Sequence, residues 1–387
     1  MRGARQAGRS LGERLNSALS IAMTQFTPLI ASLPTTIPFV GPEALARASG
    51  LPIKARLGAN ENVFGPSPQA IETLRHHAVN AWQYGDPETH DLKLALAKQL
   101  GVGTENIAIG EGIDGLHGLT VRMFIEPGAK VVSSHGAYPT FGVHVKSFGG
   151  HLIAPPYVDD REDIPSLISL AKTERPKLIY LANPDNPMGT WWQASDVQLL
   201  IDDIPDDTLL VMDEAYSEFA PEGTLPVLDI TRKNVLRFRT FSKAYGLAGL
   251  RVGYAIGHSH VIAGFEKVRN HFGVTRLSQV AAVSALADLN WLAYVKHEVS
   301  KGRERLYRMA KNNGLVPIPS ATNFVSIDCG KDGAHAKAIV DGLLRYGIFI
   351  RMPGVAPLNR CIRITCGTEK DLDLLADALP KVLSAIP

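Results

Sequence analysis

Cysteine is scarce in this chain. Among 387 residues there are three thiols, Cys329, Cys361 and Cys366, and none forms a C-x-x-C pair. That excludes a disulfide framework and suits a reducing compartment, so the cytoplasm is the expected location. An excess of charge of one sign is missing too: 40 Lys and Arg stand against 38 Asp and Glu, for a net charge of +2. A balance this even gives no reason to expect nucleic acid or an anionic membrane as partner. No apolar run approaches the roughly 18 residues needed to span a bilayer. Repeats and low-complexity tracts are absent, and no dinucleotide fingerprint is followed by a ribose-binding acid, which argues against a nicotinamide dehydrogenase. No metal site is expected.

What is present fits a globular protein of two domains. Hydrophobic residues make up 45% and charged residues 20%, and the length exceeds one ordinary core. Short apolar runs end in polar or small residues: Ile107-Ala108-Ile109, Lys130-Val131-Val132, Lys177 to Leu181, Leu209 to Met212, and Val235 to Phe238. Continuous rather than alternating runs predict strands buried on both faces of a mainly parallel sheet. Helical stretches such as 67–77 and 88–100 make the pattern α/β. After about Ser278 long helices, two short strands and a final helix read as a smaller α+β domain. The expected division is 1–27 as a disordered or arm-like segment, 28–59 as the N-terminal part of the small domain, 60–278 as the large domain and 279–387 as the rest of the small one. Residues 1–22 carry Arg2, Arg5, Arg9 and Arg14 against Glu13. That composition is transit-like, but a disordered tail or an upstream start, with Met23 as initiator, is the preferred reading.

The polar residues of interest follow the C-terminal ends of the strands, where open α/β sheets bind ligands. Foremost is Lys243, in Thr240-Phe241-Ser242-Lys243-Ala244-Tyr245-Gly246, with Arg251 eight positions on. A lysine among hydroxyls, glycines and apolar residues is desolvated, has a lowered pKa and attacks carbonyls. The aldehyde it suits is that of pyridoxal 5′-phosphate. Asp213, in Val211-Met212-Asp213-Glu214-Ala215-Tyr216, ends a buried strand. Alone it reads as a helix N-cap; thirty residues before such a lysine it reads as the partner of a pyridinium nitrogen. Gly110-Glu111-Gly112-Ile113-Asp114-Gly115 opens a helix after a strand and offers backbone N–H groups to an anion.

These motifs, in this order, resemble the fold-type I aminotransferases, and within them the histidinol-phosphate aminotransferases, from about Ile37 to the C-terminus. The resemblance implies the corresponding fold, with a large domain built on a seven-stranded-type sheet. It implies that Lys243 bonds the cofactor aldehyde and then moves the proton at the substrate Cα. Asp213 holds the ring nitrogen, and Tyr216 and Asn186 hold the phenolic oxygen. Tyr138 stacks on the ring. Gly112, Ile113, Asp114, Thr240, Ser242 and Arg251 hold the phosphate. Tyr84 reaches the phosphate of a neighbouring subunit, which makes the active unit a homodimer. Arg363 grips the substrate carboxylate, Arg351 a substrate phosphate, and Asn60 lines the substrate mouth. The chain also departs from the family's pattern: Gln83 stands before Tyr84 where the family commonly has Arg. Met188 occupies a turn position where the family more often has Thr. Phe39 replaces a phosphate-binding tyrosine, which removes a hydrogen bond of about 1 kcal/mol. Arg276, with Arg269 nearby, adds charge that suits a carboxylated side chain.

The expected reaction is transfer of an amino group between an amino acid, glutamate first, and a 2-oxo acid or imidazole-acetol phosphate. An aromatic amino acid aminotransferase, a decarboxylase or an oxidase on the same fold are the alternatives. A ligand-sensing regulator is disfavoured, because 36 N-terminal residues are too few for a helix-turn-helix module.

Overall fold

A computed structural model describes residues 25–35 and 39–386. The arginine-rich start, Met23, Ile37 and Pro38 lie outside the described residues. Contacts divide the chain into two units, residues 1–35 and 36–387. The described part of the first holds a short helix, Pro28–Ser32, whose cap Thr27 accepts a bond from the Ile30 N–H.

In the second unit the strands are β1 (Ala55–Arg56), β2 (Ile107–Gly110), β3 (Lys130–Val132), β4 (His151–Ile153), β5 (Leu178–Ala182), β6 (Leu209–Asp213), β7 (Val235–Thr240), β8 (Gly253–Gly257), β9 (Val316–Pro317), β10 (Phe324–Asp328), β11 (Ile348–Phe349) and β12 (Cys361–Thr365). Seven of them form one sheet in the order β2-β8-β7-β6-β5-β3-β4. The neighbours from β7 to β4 are parallel. Only β8 runs against its neighbours, antiparallel to β2 and β7. Every residue of β5 and β6 is buried, which explains why those segments are apolar at successive positions. The 241–252 connection holds a 3-10 turn, Ala248–Leu250, and no crossover helix, so the chain returns antiparallel.

Some helix starts carry side-chain caps. The Ser67 hydroxyl accepts from Ala70 N–H at the head of Pro68–His77. Thr368 and Asp371 form a reciprocal capping box at the head of Glu369–Ala385. Each such cap contributes about 1 kcal/mol.

A three-stranded antiparallel sheet, β12-β10-β9, and a parallel pair, β1-β11, complete the unit. They share a core with Leu306, Ile339 and Leu375 from the C-terminal helices. Tyr216 and Ala244 join that same core. The segment after β6 and the lysine loop after β7 are thereby clamped between the two sheets. In the large sheet Ala182 pairs with Asp213, and Asp213 with Phe238, so the ends of β5, β6 and β7 lie side by side.

Candidate active site

A cavity of about 280 Å³ opens where those three strands end. Its lining includes Ile113, Asp114, Tyr138, Asn186 and Asp213, and, from the later segments, Tyr216, Thr240, Ser242, Lys243 and Arg251. Ten residues singled out in the sequence thus meet in one place.

Lys243 is fixed by its neighbours: Phe241 and Ala244 are fully buried and anchor the loop. Its Nζ donates to the Asn60 carbonyl at 3.3 Å and lies 5.6 Å from the Tyr216 ring centroid. Burial strips water from the ammonium and, with the Arg363 charge adding to it, pulls its pKa down to about 8. Asp213 is the last residue of β6 and 6% exposed. One carboxylate oxygen accepts from the Ala215 N–H at 3.0 Å, the other from the Tyr180 hydroxyl at 3.0 Å. Burial nevertheless pushes its pKa up to about 6. The helix-cap reading fails, since only a 3-10 turn, Ser217–Phe219, follows.

The Tyr216 hydroxyl accepts from Asn60 Nδ2 at 3.0 Å and from Asn186 Nδ2 at 3.5 Å. Asn186 is held by the turn around it. There Asp185 accepts from the Met188 N–H at 2.9 Å and from the Tyr157 hydroxyl at 2.8 Å. Met188 is fully buried beside Tyr157 and Ile318 and is not among the residues lining the cavity.

A second pole lies at the helix Gly112–Phe124. No side chain caps its N-terminus, which leaves first-turn N–H groups free of intrahelical or capping partners. Thr240 Oγ1 and Ser242 Oγ are 3.0 Å apart. The Arg251 guanidinium reaches Ser242 Oγ and the Glu111 carbonyl, both at 3.4 Å. Gly112 has φ +76°, and a Cβ there would collide with that guanidinium.

Other expected residues lie at the margin. Arg363 is buried; it donates to Asn186 Oδ1 at 2.6 Å and to the Gly58 carbonyl at 3.3 Å, and its Nε has no partner. Arg351 sits with its guanidinium 4.9 Å from the Phe39 ring and 5.5 Å from the Phe349 ring, and donates to the Val40 carbonyl at 3.1 Å. Asn60 is buried behind Lys243 and Tyr216. Tyr84 is outside the cavity altogether, 76% exposed and packed on Phe272. Arg276, the residue suspected of reshaping substrate choice, spends its guanidinium on the Tyr84 carbonyl at 3.0 and 3.2 Å.

Sequence reading missed Tyr180 and His117. Tyr180 lay in a strand taken as plain core; the signal was a hydroxyl in an otherwise aliphatic run, which must find a partner when buried. His117 carries no motif around it in the sequence, yet its Nε2 lies 3.7 Å from the Asp213 carboxylate.

The family described as aminotransferase class I and II has a model that matches residues 52–379. A crystal structure of histidinol-phosphate aminotransferase from Sinorhizobium meliloti, in complex with pyridoxal-5′-phosphate, is 53% identical with a TM-score of 0.92, covering 95% of this chain and 100% of that one. Histidinol-phosphate aminotransferase of Roseiflexus castenholzii is 35% identical, over 92% of this chain and 97% of its own. That of Moorella thermoacetica is 32% identical, over 92% of each. Matched by the family along most of its length, and by these relatives nearly end to end, the chain belongs to the class I and II aminotransferases.

Proposed function

We propose that this pyridoxal-phosphate-dependent aminotransferase moves an amino group from an amino acid, glutamate first, to imidazole-acetol phosphate, giving histidinol phosphate. One observation carries the chemistry: a desolvated lysine amine and a buried carboxylate face the same cavity, and an anion-binding pole lies on its wall. The relatives' names support the substrate.

When bound, pyridoxal 5′-phosphate supplies an aldehyde for amines and a protonated ring that accepts electrons from the substrate Cα. The residues fit it. The uncapped helix start, Thr240, Ser242 and Arg251 offer donors suited to a phosphate. Asp213 has the raised pKa of a buried carboxylate whose desolvation outweighs its hydrogen bonds and the Lys243 charge, and a ring N–H⁺ beside it would restore its charge. Lys243, with its pKa near 8, is a free amine in an appreciable fraction near neutrality. Its Nζ then takes the Cα proton and returns it one step later. Tyr138, Asn186 and Tyr216 line the same cavity; Tyr138 would cover a face of the bound ring, and Asn186 and Tyr216 would hold its phenolic oxygen. Arg363, already bonded to Asn186, receives a carboxylate, and Arg351 receives the distal anion of the substrate.

We further propose a homodimer in which Tyr84 completes the partner's phosphate site; Val79, Trp82 and Tyr84 are each more than three-quarters exposed, which suits a face covered by another copy. We place the enzyme in the cytoplasm, in keeping with three free buried thiols. Among the described residues no helix is long and apolar enough to cross a membrane.

The test is an absorbance spectrum of the purified protein with a panel of amino donors. Histidinol phosphate and glutamate should both convert the visible band to the near-ultraviolet form. Conversion by aromatic amino acids but not by histidinol phosphate would overturn the substrate assignment. A band that no donor converts would overturn transamination in favour of decarboxylase or oxidase chemistry.

A further inference from the structure

His117 is a buried group that the chemistry above leaves unused. It projects from the helix Gly112–Phe124 and is fully enclosed. Phe141, Tyr180 and Phe238 surround its ring with centroids 5.3 to 5.4 Å away. Neither Nδ1 nor Nε2 has a hydrogen-bond partner. A buried polar ring without partners is costly, and in so aromatic a pocket a phenyl ring would avoid the cost. What distinguishes the imidazole from a phenyl ring is its reach toward Asp213. Nε2 lies 3.7 Å from Oδ2, the oxygen that also accepts from Tyr180. A movement of less than ~1 Å brings that separation to hydrogen-bond length.

We propose that His117 is a positioning residue for Asp213: with its proton on Nε2, it becomes a further protein donor to that carboxylate, beside Tyr180 and Ala215, when a cationic ring nitrogen draws Asp213 into its ionised form. The inference rests on the pyridoxal phosphate reading. A neutral imidazole suits the role, because it adds a donor without adding a charge. Burial keeps it neutral, with a pKa pulled down to about 3. The charged groups nearby do not reverse this. Asp114 raises the pKa and His144 lowers it, and these two are paired with each other at 3.2 Å. On the far side Lys243 favours the Asp213 anion and Glu214 opposes it. Tyr138 and Tyr180 face the ring as neutral phenols, their pKa values raised by burial.

The test uses the full chain as wild type, His117→Phe and His117→Asn. Each is stripped of cofactor and titrated with pyridoxal 5′-phosphate from about pH 5 to about pH 8, a window that brackets the raised Asp213 carboxylate at about 6 while His117 stays neutral throughout. Melting without cofactor is recorded alongside. His117→Phe should melt no lower than wild type yet bind about tenfold more weakly, the loss of one hydrogen bond to a charged group. That loss should widen toward acid pH, because Asp213 without the donor holds its proton longer. His117→Asn, which keeps an N–H donor, should regain part of the affinity. A His117→Phe protein that binds like wild type at every pH overturns the proposal. So does an imidazole ¹⁵N spectrum of the cofactor-loaded wild type that shows the proton on Nδ1, a measurement that needs no variant to fold. Failure of the wild type itself to bind the cofactor would instead sink the reading on which this one rests.

Discussion

At the scale of single residues, Lys243 and Asp213 stand out in the sequence because each breaks a local rule. A lysine amid small and apolar neighbours and an acid at the end of an apolar strand are both expensive unless something repays them. Lys243→Ala should fold as the wild type does and lose at least ~10³-fold in turnover, since it removes both the nucleophile and the proton carrier. Circular dichroism and a rate assay check both halves; substantial turnover would end the assignment. Asp213 makes a separate prediction about stability. In the cofactor-free protein it keeps its proton to about pH 6, against 3.8 for an ordinary aspartate. Between those values the native state binds the extra proton, so this contribution to stability is present at acid pH and is lost as pH rises. His117 runs the other way. Its native pKa of about 3 lies below the ordinary 6.5, so its burial costs stability at acid pH and the cost fades as pH rises. Asp213→Asn removes the first slope and leaves the second. Its stability relative to wild type should therefore climb by up to ~3 kcal/mol between about pH 4 and about pH 6. Urea unfolding of both cofactor-free proteins at those two pH values measures it, and a constant difference refutes it. Tyr180 and His117 escaped the sequence reading because their roles depend on side chains from other strands that only the fold brings near.

At the scale of elements, the buried strands could be read because burial on both faces leaves a continuous apolar run. Two things could not be read. The direction of β8 depends on what the preceding loop does, and its Gly-Tyr-Ala-Ile-Gly segment is as apolar as a parallel neighbour. The helix expected from Glu88 begins at His90, because Thr89 adopts a left-handed φ of 52° just before it; no residue type announces that. The helix Gly112–Phe124 tests whether its bare N-terminus is built for an anion. Gly112→Ala meets two obstacles, a φ of +76° and a collision with the Arg251 guanidinium. Gly128→Ala meets only the first, since its φ is +86° with nothing near the added methyl. Both should cost about 1 kcal/mol of stability from backbone strain. Only Gly112→Ala should also weaken pyridoxal 5′-phosphate binding, by about tenfold or more, through displacement of a charged phosphate donor. Equal cofactor affinity in the two variants would mean that this helix end is not the phosphate site.

At the scale of the whole molecule, the pairing of β1 with β11 joins residues 55–56 to 348–349. Two-residue strands leave no pattern to read, so that closure belongs to the fold alone. The proposed dimer rests on resemblance, through Tyr84, and the fold leaves that side chain exposed and packed on Phe272, outside its own chain's cavity, with Trp82 also exposed. Large aromatic groups in water are a cost that a second copy would remove. The arrangement can be tested without seeing the interface. If each cavity draws Lys243 from one copy and Tyr84 from another, then Tyr84→Ala and Lys243→Ala chains are each defective alone, for different reasons. Unfolded together and refolded as a mixture, random pairing makes half of the dimers mixed, and each mixed dimer has one intact site. About a quarter of the sites should then be native, and activity at limiting cofactor should return to about that fraction of wild type. Mixing the two proteins after separate refolding should restore nothing if the dimers do not exchange, and that serves as the control. If refolding together yields only the mean of the two separate activities, Tyr84 serves its own chain or no site at all, and the shared-site dimer must be abandoned.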